Sequence, residues 1–448
     1  MVRTDAEGGG AEPPSPSDIE MPSPHRPSVP QVVVIVCPPW PRSGAAWIVK
    51  NQVDYYHTRG FEVHLAIVPF HRWFIRDNPV WNEVLDGFKD LGADGTFAAP
   101  LDIRRYDRAR FAATIFHGLR GTVLDWEIAI ATSAEVPEAL CALVRSKPVA
   151  LLHVNYAQTM GFALRLRKMM QRRTPRVPIV LETHDIQSHL LAERKGLNPW
   201  KREADPMERL VRTEISWVKK ADVLVHLSVD DLTFFRGQLP RTNHVLVMPT
   251  INEEFIRQVQ NARPLASKID LLFVGQKHAP NVAALRWFFE NVWSLIEHKK
   301  YVLKIVGPVA ELFKEQCPLL FETYQKYFTG PVEDLSSYYR SARCVIAPMV
   351  SGSGTSIKTI EALALSKAIV GTTKAFRGMP LDRVRSAGVE PFDTPQSFAE
   401  GIISALENGT ELGERSRCAY EELFSTTANI DARDQAMRLV GILQHRTV

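Results

Sequence analysis

The chain has 448 residues, 45% of them hydrophobic and 23% charged, with a formal net charge of +4. That length suits two domains of ordinary size, and the small, interspersed charge argues against nucleic-acid binding as the main task, because no basic run is interleaved with stacking aromatics. Cys37, Cys141, Cys317, Cys344 and Cys418 lie far apart with no CxxC pair, which predicts neither a disulfide framework nor a zinc site and suits a reducing compartment.

Residues 1–30 are rich in Pro, Gly and Ser, have little to bury, and predict a disordered tail. Their polar start shows no secretory signal, and apolar runs such as Val32 to Cys37 are far shorter than a membrane span. The expected location is cytoplasmic. Across 31–250, short apolar runs alternate with helical patterns: VVVIVC (32–37), VHLAIV (63–68), EIAIA (127–131), VALLHV (149–154), IVLET (179–183), DVLVHL (222–227) and HVLVM (244–248). They read as strands buried on both faces of a parallel sheet, forming one doubly wound domain.

GFALRLRKMMQRRTPR (161–176) groups Phe162, Leu166, Met169 and Met170 on one side of a helix and Arg165, Lys168 and Arg172 on another. It reads either as an ordinary helix packed by its apolar side or as a peripheral contact with anionic lipid at the inner face of the membrane. Residues 251–268 are polar, without a period, and read as a linker. Over 269–428, LLFVG (271–275), VLKIVG (302–307), a strand end at Tyr327 to Gly330, CVIAPM (344–349) and AIVGT (368–372) predict a second doubly wound sheet. The fold class is therefore α/β, with two Rossmann-like domains facing across a cleft. Ligands of such sheets sit beyond the carboxyl ends of the strands.

The most informative segment joins the last two predicted strands. Between CVIAPM and AIVGT, the loop Ser351 to Ser356 has small residues wherever a backbone must approach a ligand, and a helix then opens beside Lys358 and Glu361. Ile357, Ile360, Leu363 and Ala364 form that helix's core stripe, which leaves Lys358 and Glu361 side by side at the mouth of the loop. Free N–H groups and a lysine favour a diphosphate, and a carboxylate accepts from a ribose diol. The same pattern also occurs as a plain turn followed by a solvated helix face.

SGSGTSIKTIEALALSKAIVGTT resembles the donor-binding signature of glycosyltransferase family 4, retaining GT-B enzymes that use nucleotide-sugar donors. LLFVGQKHAPNVAALRWFFENVWSLI resembles the segment opening the second domain in a bacterial branch of that family, and FTGPVEDLSSYYRSARCVIAPM is similar to its base-contacting loop, helix and strand. The resemblance covers most of Asp270 to Thr373 and is weaker over Gln31 to Thr250, where it rests on strand order, an early Gly44 loop, LLHVN and LETHDIQ. It implies a hexosyltransferase that takes a UDP-, GDP- or ADP-linked sugar to a glycan or lipid-linked acceptor. It also implies that residues 429–448, a helix over about Asp431 to His445, cross back onto the first domain.

By the same resemblance, Gly44, Val332, Ser353, Gly354, Thr355, Ser356 and Glu361 hold the donor. His184, Lys358 and Lys277 are the expected catalytic groups, with His184 beside the anomeric centre. His184 and Asp185 follow IVLET, while His153 and Asn155 end VALLHV; strand-end placement makes His153, Asn155 and Asp185 the acceptor-side candidates, although a histidine there is often structural. The chain departs from the family where a Glu usually stands eight positions before the ribose-binding one, here Ser353, and where a diphosphate-binding Arg is usual, here Gln276 beside Lys277. A catalytically inactive GT-B protein binding nucleotide or glycan, or a scaffold in polysaccharide assembly, is the rival reading. No Asp-x-Asp pair is present to hold a divalent ion, so no metal or other cofactor is expected. A dehydrogenase is excluded because VVVIVC runs into PPWPRSG and not a GxGxxG turn.

Overall fold

A computed structural model describes residues 31–41, 44–70, 78–101, 122–170, 176–193, 207–352 and 354–443. The expected tail at 1–30 therefore lies outside the described residues.

The first sheet is built from β1 (Val32–Cys37), β2 (Glu62–Ile67), β3 (Gly95–Ala98), β4 (Val149–Asn155), β5 (Ile179–Glu182), β6 (Val223–His226) and β7 (Asn243–Leu246) in the order β3-β2-β1-β4-β5-β6-β7. Every pairing is parallel. β1 is buried at all of its positions, as a central strand covered on both faces requires. The second sheet runs β10-β9-β8-β11-β12, with β8 (Ile269–Val274), β9 (Leu303–Val306), β10 (Phe328–Gly330), β11 (Ala342–Ala347) and β12 (Ala368–Gly371), again all parallel. Strand order reverses between β1 and β4 and between β8 and β11, so each sheet has a crevice at the carboxyl ends of those strands.

Two sequence expectations need correction. EIAIA is not a strand; it lies inside the helix Val123–Ser133, which opens on a capping box between Thr122 and Asp125 and buries Leu124, Glu127, Ile128 and Ala131 on one face. A five-residue window shows alternation, and only the longer window shows the helical stripe. β3, a short strand at the sheet's edge with all its positions half-buried, was not expected from its pattern GTFA. Within the presumed linker, Glu253–Asn261 is a helix capped by Asn252, with Val259 buried and Phe255 and Ile256 packed on the second domain.

The helix Met160–Met170 buries Phe162, Leu166 and Met170 in the core beneath the first sheet. Two of its cations serve the chain itself: Arg165 donates to the carbonyls of Thr132 and Ala134, and Arg167 pairs with Asp222 at 3.4 Å, while Lys168 is exposed. The apolar side is thus spent on packing, and Arg172 and Arg173 lie outside the described residues. Among the described residues no helix is long and apolar enough to cross a membrane.

The last helix, Thr426–Leu439, leaves the second domain and packs on the first. Ala436 and Met437 join the core with Val225, Val245 and Val247, and Arg433 reaches Glu182 of β5 at 3.0 Å. The two domains are therefore tied both by the 247–268 connection and by this return.

Candidate active site

A cavity of 430 Å³ lies where the carboxyl ends of the two sheets meet. From the first domain it is lined by Ala45, Trp47 and Ile48 after β1, Tyr156 after β4, His184 and Asp185 after β5, and Leu227 after β6. Pro249 to Asn252 and Phe255 close it at the connection, and Gly354, Thr355, Ile357 and Glu361 face it from the second domain. Trp47 Nε1 donates to the Thr250 carbonyl at 3.1 Å, which pins the first helix, Gly44–Thr58, to the connection.

His184 is the most constrained of the expected residues. It has φ 61°, and Tyr156 beside it has φ 69°. Left-handed backbone in residues that carry a β-carbon costs about 1–3 kcal/mol each and persists only where the surroundings enforce it. The two rings stack at 4.1 Å with planes 9° apart, and His184 Nε2 lies 2.7 Å from Asn155 Oδ1. Asn155 is fully buried and doubly bonded to Gln52, whose Nε2 donates to Asn155 Oδ1 at 2.9 Å while Asn155 Nδ2 donates to Gln52 Oε1 at 3.1 Å. Asn155 Oδ1 can only accept, so His184 carries its proton on Nε2, and Nδ1 is left as an acceptor. Burial pushes the imidazole down to about 4, against the pull of Glu182, so the ring is neutral at physiological pH.

His153 is placed differently. It is buried beneath the cavity, with Nδ1 2.7 Å from the Tyr56 hydroxyl and Nε2 3.2 Å from Glu182. Burial raises the Glu182 carboxyl, but Arg433 and His153 outweigh it and hold it well below the usual carboxylate range. His153 and Asn155 therefore stand behind the cavity wall and do not line it. Asp185 does line it, and its Oδ1 stands 3.2 Å from the point a side chain at Gly354 would occupy. Gly354 has φ +63°, so glycine there lets the second-domain loop pass close to the Asp185 carboxylate.

On the second domain, Ser356 caps the helix Ile357–Ala364 without a side-chain bond, which leaves its first amides uncapped by that residue. Thr355 crosses the cleft and donates to the Leu227 carbonyl at 2.9 Å, and nearby the Val229 amide donates to the Gly378 carbonyl at 2.8 Å. Glu361 accepts from the Tyr339 hydroxyl at 2.9 Å and is raised by burial, against that bond and the charge of Lys358. Lys358 bonds Asn281 Oδ1 and lies 4.7 Å from the Phe273 ring centre. Burial, reinforced by Arg377 and opposed by Glu361, lowers its ammonium to about 7.

Lys277 and Val332 are not brought to this cavity. The Lys277 ammonium pairs with Glu311 at 3.2 Å and Glu315 at 3.5 Å on an exposed face, because the loop after β8 turns it toward the helix Val309–Gln316. Val332 packs on the core of the second domain. Gly44 opens the helix whose first turns line the cavity, and Ser353 lies outside the described residues. Sequence reasoning missed Trp47, Tyr156, Asn281 and Arg377. Arg377 was within reach of it, since TTKAFRG follows a predicted strand and the strand-end rule applied to β5 holds equally for β12.

Residues 268–408 match the model of the family described as glycosyl transferases group 1. That match falls within the second domain and covers less than a third of the chain. Among solved structures, the chain is similar to a sucrose-phosphate synthase from Thermosynechococcus elongatus, at 14% identity and a TM-score of 0.57, covering 92% of this chain and 99% of that one. An α,α-trehalose-phosphate synthase (UDP-forming) from Burkholderia vietnamiensis is similar at 12% identity and a TM-score of 0.56, covering 92% and 100%. The Anabaena protein HepE in complex with UDP gives 12% identity and a TM-score of 0.56, covering 91% and 100%. At such identities the likeness establishes the GT-B fold alone, with the matched segment lying in its second domain. Comparison with curated proteins finds no match.

Proposed function

We propose that the protein is a family 4-type retaining glycosyltransferase that moves a sugar from a nucleotide-sugar donor to a glycan or lipid-linked acceptor without a metal ion. The observation that carries this reading is the convergence on one cavity of Gly354, Thr355 and Glu361 from the group 1 domain with His184 from the opposite one. Glu361 would accept from the ribose diol. The amides of Gly354 to Ser356 and the Lys358 ammonium would meet the diphosphate. His184, neutral and with Nδ1 open as an acceptor, would orient a sugar hydroxyl.

In the transfer, the bond between the anomeric carbon and the phosphate oxygen breaks with its electron pair staying on oxygen. The acceptor hydroxyl forms the new glycosidic bond on the same face, and its proton passes to that phosphate oxygen. Charge stabilisation is then the main demand, and a well-placed donor contributes about 3–4 kcal/mol to it.

The test is transfer and hydrolysis with a panel of UDP-, GDP- and ADP-sugars in excess EDTA, with UDP-sugars first, since one similar structure holds UDP and another is UDP-forming. Product of retained anomeric configuration is expected, and Glu361→Ala should weaken binding of the cognate nucleotide by about 1.5–3 kcal/mol. Activity that requires added Mn²⁺ overturns the metal-free mechanism. Tight nucleotide binding with no turnover would favour an inactive binding protein.

A further inference from the structure

Two cations from different elements stand at the loop between β11 and the helix Ile357–Ala364. One is Lys358, in the first turn of that helix and tethered by Asn281. The other is Arg377, which follows β12 and lays its guanidinium against the loop at Gly352. Its Cζ and Nε are each 3.2 Å from the point a side chain at Gly352 would occupy, and its terminal nitrogen is 3.3 Å from it. Gly352 has φ +124°, a conformation that side-chain-bearing residues rarely adopt. The glycine therefore supplies both the backbone turn and the room for the guanidinium.

Like charges brought together where water is scarce oppose one another, and each lowers the free energy of an anion placed between them. The carboxylate acting on Lys358 is Glu361, which is also engaged by Tyr339. Of the two positions the sequence offered for a diphosphate clamp, Gln276 is uncharged and Lys277 pairs with Glu311 and Glu315 on an exposed face.

We propose that Arg377 is the second diphosphate clamp of this site, closing on the nucleotide's phosphates from the β12 side while Lys358 holds them from the helix. The inference rests on the donor-site reading above. A planar guanidinium suits two phosphate oxygens at once, and its place on the loop of small residues puts it on the anion's flank and not at the base or the sugar.

Calorimetry on the full chain tests it, using whichever of UDP, GDP and ADP binds tightest together with the matching nucleoside. Arg377→Ala should lower affinity for the nucleoside diphosphate about 10- to 100-fold, the range of charge-assisted hydrogen bonds, and leave the nucleoside's affinity unchanged. Arg377→Lys should recover part of the loss, since it restores the charge without the fork. Unchanged diphosphate affinity in Arg377→Ala overturns the proposal. So do equal losses for diphosphate and nucleoside with a lowered Tm, which would mean a structural role for the guanidinium. If the wild-type protein binds none of the three diphosphates, the donor-site reading itself falls and this inference with it.

Discussion

The two sheet edges that face the cavity are built on opposite electrostatic plans. At the first, Gln52, Asn155 and His184 form one bonded chain, while beneath it Tyr56, His153, Glu182 and Arg433 form another, both made before any ligand arrives. At the second, Lys358 and Arg377 act against each other. The difference teaches a division of labour that suits transfer chemistry. The first edge fixes geometry, by bonds already made, where a sugar would lie, and the second sets two mutually opposed cations where a phosphate would lie. Preorganised polar groups of the first kind act by position, whereas the second kind acts by field.

The rigid wall should break most visibly at its anchor. Arg433→Ala leaves Glu182 buried without its cation, and removing one partner of such a pair typically costs about 3–5 kcal/mol. Urea denaturation should record that loss, and an unchanged midpoint would show that the first edge does not depend on the returning helix. The next effect is functional: His184→Ala should lower turnover about 100-fold, roughly 2.7 kcal/mol of transition-state stabilisation, while binding of the bare nucleoside diphosphate stays the same. Equal losses in both would make His184 part of the wall's support and nothing more.

The smallest effect sharpens the second edge. Burial, reinforced by Arg377, pushes the Lys358 ammonium down to about 7 from its ordinary 10.5. A bound diphosphate favours that charge and moves the value back up, so binding at pH 8 should take up a proton and affinity should fall as pH rises above 7. For stability the sign is reversed: a depressed lysine is a full penalty below its folded value and none above its unfolded one, so relief comes between about 7 and 10.5. Titrations in buffers of different ionisation enthalpy read the uptake directly. Lys358→Met should abolish it, and uptake that persists in that variant assigns the proton to another group.

Much of the fold was legible because doubly wound sheets write their strands as short apolar runs between Gly, Pro and polar turns, as at 32–37 and 344–349. What failed was local. The helix Val123–Ser133 carries β-branched and aromatic residues that mimic a strand in a short window, and β3 has too little burial to leave a pattern. In the site, loop chemistry pointed to Gly354, Thr355 and Glu361, and strand ends pointed to His184 and Asp185, all of which line one cavity. Direction was not legible. Nothing in the sequence says that Lys277 turns toward Glu311, that His153 faces Tyr56 beneath the wall, or that Arg377 doubles back to Gly352, because each depends on which side of a loop a long side chain takes.

The return of Thr426–Leu439 to the first sheet also has a consequence for how the protein is made. On the ribosome, β7 emerges well before the helix that covers it, and at about 5–20 residues per second the intervening stretch takes roughly 10 to 40 seconds to synthesise. For that interval the nascent first domain presents Val225, Val245 and Val247 without Ala436 and Met437 over them, and Glu182 without Arg433. The first domain cannot close until residues 426–439 have been made, so a stop just upstream of residue 426 would leave it open to chaperones and proteases.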